Sequence, residues 1–347
     1  MSERTPLILD VDTGIDDSLA ILYACASVDA EIVAVTCVAG NVAAQQVAIN
    51  TRAVLELAGR SDVEVALGRE VPLVRPLMTT PETHGPRGLG YAELPEPSRP
   101  LSQRHAADLI IDEARSRPGE VTLVTLGPLT NLAVAVQREP ALPTLLRRLV
   151  IMGGSYRSPG NTAPTSEWNI AVDPEAAKLV LDAFGAPELP RHPVALGLDV
   201  TERAKFTPAH LERLAAAAGL RGDVEPRDAE SPVLRFLADA LRFYMEFHSR
   251  FDGFYGAFIH DPLALAAALD PSLVRTEALP VDIELRGTLT TGETVTDWRR
   301  VWGRAPNLNV AVEADTERFL DRFIERVAAL AAERAEALAR RGADVAS

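Results

Sequence analysis

Residues 7–24 read Leu-Ile-Leu-Asp-Val-Asp-Thr-Gly-Ile-Asp-Asp-Ser-Leu-Ala-Ile-Leu-Tyr-Ala. Leu7, Ile8 and Leu9, with Val11, make a short apolar run of the kind that forms a buried parallel strand. Gly14 permits a tight turn, and Asp16 and Asp17 open a helical pattern through Leu19, Ala20, Ile21, Tyr23 and Ala24. Carboxylates in a first helical turn suit the positive end of the helix dipole. The acidic residues Asp10, Asp12, Asp16 and Asp17 therefore fall at the carboxyl end of a strand, where open α/β sheets bind ligands. Capping and solvation account for one or two of these charges. Four together repel one another and lose hydration, which a divalent cation or a set of substrate hydroxyls would offset.

Outward from this stretch, apolar runs alternate with helical patterns. Ile32–Ala39, Val63–Leu67, Val121–Leu126, Leu149–Met152 and Pro193–Val200 read as strands. Ala44–Ala58, Ala106–Arg117, Asn131–Gln137 and Pro174–Phe184 read as helices. The alternation predicts an α/β fold with a largely parallel sheet. Beyond Thr201, helices are expected over Pro208–Ala218 and Pro232–Phe247. Short strands over Pro280–Leu285, Glu293–Asp297 and Leu308–Val312 would form a meander, and an amphipathic helix would cover Thr316–Arg341. One domain over residues 1–347 is expected, with helical active-site insertions around 72–100 and 221–258; the first is rich in Pro, Gly and Thr and long for a passive connection.

Composition narrows the function. Hydrophobic residues make up 47% of the 347, enough for a large core, and the formal net charge of −14 argues against broad contact with nucleic acid or anionic lipid. Asp10 and Asp12 interrupt what a signal peptide would need as an apolar core, and no run reaches membrane-spanning length. Cys25 and Cys37 lie in apolar surroundings and read as buried thiols in a reducing compartment, so a cytoplasmic location is expected. An EF-hand places Asp10, Asp12 and Asp16 at its first, third and seventh positions, but the twelfth is Ile21 and the preceding segment is strand-like.

Polar residues recur at the predicted strand ends: Gly40-Asn41, Gly127-Pro128-Leu129-Thr130-Asn131, Gly153-Gly154 followed by Gly160-Asn161, then Glu167-Trp168-Asn169. His260-Asp261-Pro262 precedes an apolar helix. Each has a plain alternative as a turn or a cap. Strand after strand, they favour one cleft.

These blocks, in this order, resemble the inosine-uridine preferring nucleoside hydrolases from Leu7 to about Leu265. The resemblance implies a nucleoside hydrolase fold with a Rossmann-like open, mostly parallel sheet flanked by helices, hydrolysis of the N-glycosidic bond of uridine- or inosine-type ribonucleosides, a bound calcium ion, and a homodimer or homotetramer. By position it implies Asp12, Asp17 and Asp261 as calcium ligands through their carboxylates and Leu126 through its carbonyl, with Asp12 also the general base for water. It implies Asp16 and Asn169 on the ribose 2′- and 3′-hydroxyls, Asn161 and Glu167 on the 5′-hydroxyl, Asn41 in the ribose pocket, His260 facing the base as acid or orienting group, and His84 from the loop beside it. Asp10 would support the turn. The chemistry suits these types, because an oxocarbenium-like ribosyl cation, hydroxyl groups and calcium all favour oxygen partners.

The remaining histidines, His105, His192, His210 and His248, have no motif around them and read as ordinary. Trp168, Trp298 and Trp302 are candidate stacking residues for a base. Two rivals stay open. LILDVDTG also resembles the haloacid-dehalogenase phosphatase signature, with Asp10 as nucleophile and magnesium as metal, yet only Lys178 and Lys205 could supply that family's lysine. A non-catalytic nucleoside- or ribose-binding sensor would keep the fold and the metal.

Overall fold

The computed structural model describes residues 4–222 and 224–346, with side chains described as far as residue 340. In chain order the strands are β1 (Thr5–Val11), β2 (Ala30–Cys37), β3 (Glu64–Leu67), β4 (Thr122–Thr125), β5 (Arg148–Met152) and β6 (Val194–Leu196). They continue with β7 (Lys205–Phe206), β8 (Ala257–Phe258), β9 (Val274–Leu279), β10 (Val281–Ile283), β11 (Thr294–Thr296) and β12 (Leu308–Ala314). Eight of them form one sheet in the order β3-β2-β1-β4-β5-β6-β12-β9. All neighbours are parallel except β12 and the edge strand β9.

The period-two rule places the cores. Leu7, Leu9 and Val11 of β1 join one hydrophobic cluster, while Ile8 joins another, so the sheet is buried on both faces. The first cluster takes in the helices Ile15–Cys25, Pro232–Phe251 and His260–Leu269, with Phe319, Phe323, Val327 and Ala331 along one face of Thr316–Ala346. The second takes in Ala106–Ser116, Thr130–Arg138 and Pro174–Phe184. From β1 the chain steps outward to β2 and β3, then returns to the other side of β1 for β4, β5 and β6. Strand order therefore reverses between β1 and β4, and a crevice opens beyond their carboxyl ends.

Several elements differ from expectation. The strand expected over Pro193–Val200 stops at Leu196; Gly197 caps a short helix, Leu198–Thr201, that turns the chain toward the crevice. No three-stranded meander forms. β10 and β11 pair as a separate antiparallel ladder, while β12 enters the main sheet between β6 and β9. β9 is not anticipated because Arg275, Thr276 and Glu277 give it the polar, exposed character of an edge strand. Segment 72–100 is mostly irregular, with one short helix at Pro81–His84. Segment 221–258 is dominated by Pro232–Phe251, one turn longer than its pattern suggests. Cys25 is only partly buried, Cys37 fully, and both are free thiols. Among the described residues, no helix is long and apolar enough to cross a membrane.

Candidate active site

A cavity of about 440 Å³ lies at the strand-order reversal. Of the residues singled out from sequence, Asp12, Asp16, Asn41, His84, Leu126, Asn161, Glu167, Asn169, His260 and Asp261 all line it. Asp10 and Asp17 do not; they stand behind it.

Asp12, just past β1, accepts the backbone N–H of Asn41 on Oδ2 at 2.7 Å, while its buried Oδ1 has no partner. Room for this carboxylate depends on glycine. A Cβ at Gly127 would lie 2.7 Å from Asp12 Oδ1, and one at Gly40 would collide with Oδ2. Asp17 works inward, accepting the N–H of Asp12 (3.1 Å) and of Gly14 (3.0 Å) and the amide of Asn41 (3.3 Å). Asp16 reaches across 244 residues to accept the N–H groups of His260 and Asp261 on Oδ2, at 2.9 and 3.0 Å. It thereby serves the first turn of the helix His260–Leu269, and its Oδ1 is also buried without a partner.

The other wall comes from β4 and β5. Asn169 donates its amide to the carbonyls of Leu126 (2.7 Å) and Met152 (3.2 Å), tying two strand ends together. Glu167 caps the short helix Trp168–Val172, accepting from Asn169 and Ile170, and also holds the N–H of Gly154 at 2.9 Å. Its position on the wall matches expectation; the capping duty had no sequence signal, because the helix is too short to show a period. Asn161 accepts the N–H of Trp168 at 2.9 Å.

Asp10 is fully buried, with Oδ1 accepting Thr36 Oγ1 (2.6 Å) and Asn131 Nδ2 (2.8 Å). A carboxylate turned into the sheet in this way cannot attack a substrate in the cavity, which removes the phosphatase arrangement. Trp168 lines the cavity, whereas Trp298 and Trp302 do not; the Trp298 indole donates to the carbonyl of Tyr156 at 2.9 Å with the Arg157 guanidinium over its ring.

The electrostatics are one-sided. Burial pushes the Asp12, Asp16 and Asp261 carboxyls well above the usual range, with neighbouring carboxylates adding to the rise. Asp10 is raised to about 7 and Asp17 to about 6, again chiefly by burial. No Lys or Arg is among the lining residues. Two like charges 4 Å apart cost about 4 kcal/mol at an effective dielectric of 20, so this set is unfavourable in the ionised form without a compensating cation. Among the described residues, no three His, Cys, Asp or Glu side chains by themselves form a metal cluster. The oxygens on hand are of a mixed kind: the unpartnered Asp12 Oδ1, the Asp261 carboxylate, and the Leu126 carbonyl, whose second lone pair is left by Asn169, with Asp17 behind them offering only the lone pairs that its three accepted bonds leave. Hard oxygen donors of this kind fit calcium and not a soft metal.

Sequence reasoning missed the opposite end of the cavity. Thr80 and Glu82 from the loop, Glu202 after the short helix, and Tyr244, His248 and Asp252 of the long helix line it, with Phe247, Phe251 and Phe258. The available signal was the four-residue spacing of Tyr244, His248 and Asp252, which places them on one helix face. Burial lowers the His84 and His260 imidazoles to about 3. His84 Nδ1 accepts the N–H of Ile15 at 3.1 Å, and His260 Nδ1 meets Thr201 Oγ1 at 2.8 Å. His105 and His210 act as helix caps, in keeping with an ordinary role.

A cleft with an acidic, lysine- and arginine-free floor and an aromatic far wall suits a ligand with hydroxyls at one end and a flat ring at the other. The comparisons agree. The sequence profile of the inosine-uridine preferring nucleoside hydrolases matches residues 7–321. The inosine-uridine preferring nucleoside hydrolase of Crithidia fasciculata is 37% identical over 315 residues, covering 90% of this chain and 94% of that protein. The pyrimidine-specific ribonucleoside hydrolase RihA of Salmonella gallinarum is 37% identical over 323 residues, covering 93% and 98%. Among solved structures, a purine-preferring ribonucleoside hydrolase from Gardnerella vaginalis superposes with a TM-score of 0.85 at 32% identity, covering 94% of this chain and 99% of that one. The chain belongs to the inosine-uridine preferring nucleoside hydrolase family and is an enzyme of that class, hydrolysing N-glycosidic bonds.

Proposed function

We propose that the chain hydrolyses uridine- and inosine-type ribonucleosides to free base and ribose in a calcium-dependent reaction, with Asp12 as general base. The observation that carries this reading is the pair of buried carboxylate oxygens without partners, Asp12 Oδ1 and Asp16 Oδ1, on residues lining a cavity that no Lys or Arg lines. Asp12, Asp17, Asp261 and the Leu126 carbonyl would hold the ion, which when bound supplies positive charge to polarise water and the ribose diol.

The chain's own groups do the rest. Asp16, fixed by the N–H groups of His260 and Asp261, presents Oδ1 to the ribose hydroxyls beside Asn169. Asn161 and Glu167 face the 5′-hydroxyl, and Asn41 holds Asp12 in place through its backbone. Asp12 takes the proton of the water attacking C1′ as positive charge develops on the sugar. His84 and His260 line the base end. As a soluble catalyst the protein would work in the cytoplasm as a homodimer or homotetramer.

Release of reducing sugar from inosine, adenosine, guanosine, uridine and cytidine tests the activity and fixes the base preference. Asp12→Asn is expected to lower kcat by roughly 10²–10⁴-fold with little change in nucleoside binding. Saturable binding of inosine or uridine by the wild-type chain with no base released would instead establish a sensor.

A further inference from the structure

Among the lining residues that this reaction leaves without a task, His248 and Asp252 form a hydrogen-bonded pair. On the helix Pro232–Phe251, His248 Nδ1 lies 2.7 Å from Asp252 Oδ2, at the helix end. His248 is 4% exposed, lines the cavity, and its buried Nε2 has no hydrogen-bond partner. Tyr244, Phe254 and Phe258 pack on its ring, with centroids 4.6, 5.7 and 4.8 Å away, so the imidazole is held in place.

Cleavage of a nucleoside leaves electron density on the base, which needs a proton unless the base is a good anion. Three histidines line this end of the cavity, and their partners differ. His84 accepts an N–H on Nδ1, and a second proton there would break that bond. The Nδ1 of His260 faces the Thr201 hydroxyl, which donates to the Gly197 carbonyl and so accepts from Nδ1, but which carries no charge to hold an imidazolium. His248 alone has a carboxylate on a ring nitrogen. An ionised carboxylate only accepts, so Nδ1 carries a proton and Nε2 is left to take up or give one.

We propose that His248, held and polarised by Asp252, gives the departing base its proton; this rests on the nucleoside hydrolysis argued above. The C1′–N bond breaks with its electron pair going to the base, and the His248 imidazolium passes its Nε2 proton to that base. Water oxygen bonds to C1′ and its proton goes to Asp12. Asp12 then releases a proton to solvent and His248 takes one up, so that nucleoside and water give ribose and neutral base.

The surroundings set the pH response. Asp252, capping the same helix, favours the imidazolium, and Glu202 after the Leu198–Thr201 helix, itself raised to about 7 by burial and by Asp252 and Asp199, does so only where it is ionised. The Lys205 ammonium, over the rings of Phe254 and Phe258 at 4.8 and 5.7 Å, opposes the imidazolium, as do His84, His260 and burial; Tyr244 is neutral. Burial leads, and His248 sits below the usual histidine range even with Asp252 lifting it. Negative charge growing on the base then supplies the missing counter-charge.

The test compares inosine and uridine with p-nitrophenyl riboside, whose leaving group departs as a stable anion. His248→Gln in the full chain is expected to lose about 10²-fold or more in kcat/KM on the nucleosides, with a loss at least about tenfold smaller on the nitrophenyl riboside. Asp252→Asn, at the cavity rim, is expected to move the high-pH decline of kcat/KM on inosine to lower pH, because the imidazolium loses its carboxylate; it decides the matter if His248→Gln fails to fold. Equal losses on both substrate types, or an unmoved high-pH limb in Asp252→Asn, overturn the proposal. So does a leaving-group-selective loss in His260→Gln with none in His248→Gln. A wild-type chain inert on all three substrates refutes the hydrolase reading, and this assignment with it.

Discussion

Gly14 shows how tightly the acidic turn is constrained at the level of single atoms. Its φ of −96° is open to any residue, so the turn itself does not demand glycine. What excludes a side chain is crowding: a Cβ there would stand 2.8 Å from both Asn41 Nδ2 and His84 Nδ1. Those two atoms belong to segments far apart in sequence, and each is already committed, Asn41 to Asp17 and His84 to the N–H of Ile15. Gly14→Ala is therefore expected to cost about 1–3 kcal/mol, read from the urea midpoint, and to raise KM as His84 is displaced. An unchanged midpoint and KM would show that the crowding relaxes freely. The same contrast marks what could be read in the sequence at this scale. The positions of Asp12, Asp16 and Asp261 on one cavity follow from strand ends and motif order. The bond from Asp16 to the N–H groups of His260 and Asp261 does not, because nothing local joins residues 244 apart.

At the level of elements, legibility tracks burial. β1 and the helix Ile15–Cys25 bury nearly every residue, and their apolar pattern is unambiguous. β9 is half exposed and charged, and the Trp168–Val172 helix has five residues, so neither carries a period. The added turn of Pro232–Phe251 is hidden for a related reason: His248 is polar in type, yet it is buried among aromatic rings. Asp173 illustrates how such elements are joined. Fully buried, it caps Pro174–Phe184 by accepting the N–H of Ala176 at 3.0 Å, and takes Thr130 Oγ1 at 2.7 Å and the N–H of Leu73 at 2.9 Å. One carboxylate thus pins two helices and the start of the 72–100 segment, which brings Thr80 and His84 to the cavity. Asp173→Ala strands three donors and is expected to destabilise the chain by about 3 kcal/mol, measured by urea unfolding. Asp173→Asn, which keeps an acceptor oxygen, should lose less. Equal midpoints for both variants and wild type would mean that solvent replaces the carboxylate at no cost.

For the molecule as a whole, the sheet buries both faces and concentrates its polar exceptions at one place, the reversal between β1 and β4. There Asp10, Asp12, Asp16, Asp17 and Asp261 are all held in low-dielectric surroundings on a chain whose net charge is already −14. Folding brings these carboxyls together from both ends of the sequence, so their repulsion opposes the folded state and is largely absent from the unfolded one. A cation bound among them must therefore act on global stability and not on catalysis alone. Binding to the folded chain stabilises it by RT ln(1 + [L]/Kd), about 2.7 kcal/mol at a hundredfold excess over Kd. Chelated protein is accordingly expected to melt below the untreated protein, with calcium restoring the melting temperature in a saturable way. Magnesium should restore less, since it demands near-octahedral geometry and gives up its waters reluctantly. Asp261→Asn separates ligation from general screening, whereas Asp17→Asn does not, because both Asp17 oxygens already accept N–H donors that an amide nitrogen would oppose. Asp261→Asn removes a charge and so eases the repulsion, which should raise the melting temperature of the chelated form while weakening its response to calcium. Opposite signs in the two conditions are the mark of a ligand. If calcium leaves the melting temperature of chelated wild-type protein unchanged, and dialysed protein contains none by elemental analysis, the carboxylates are neutralised by protonation and the ion has no place in the site.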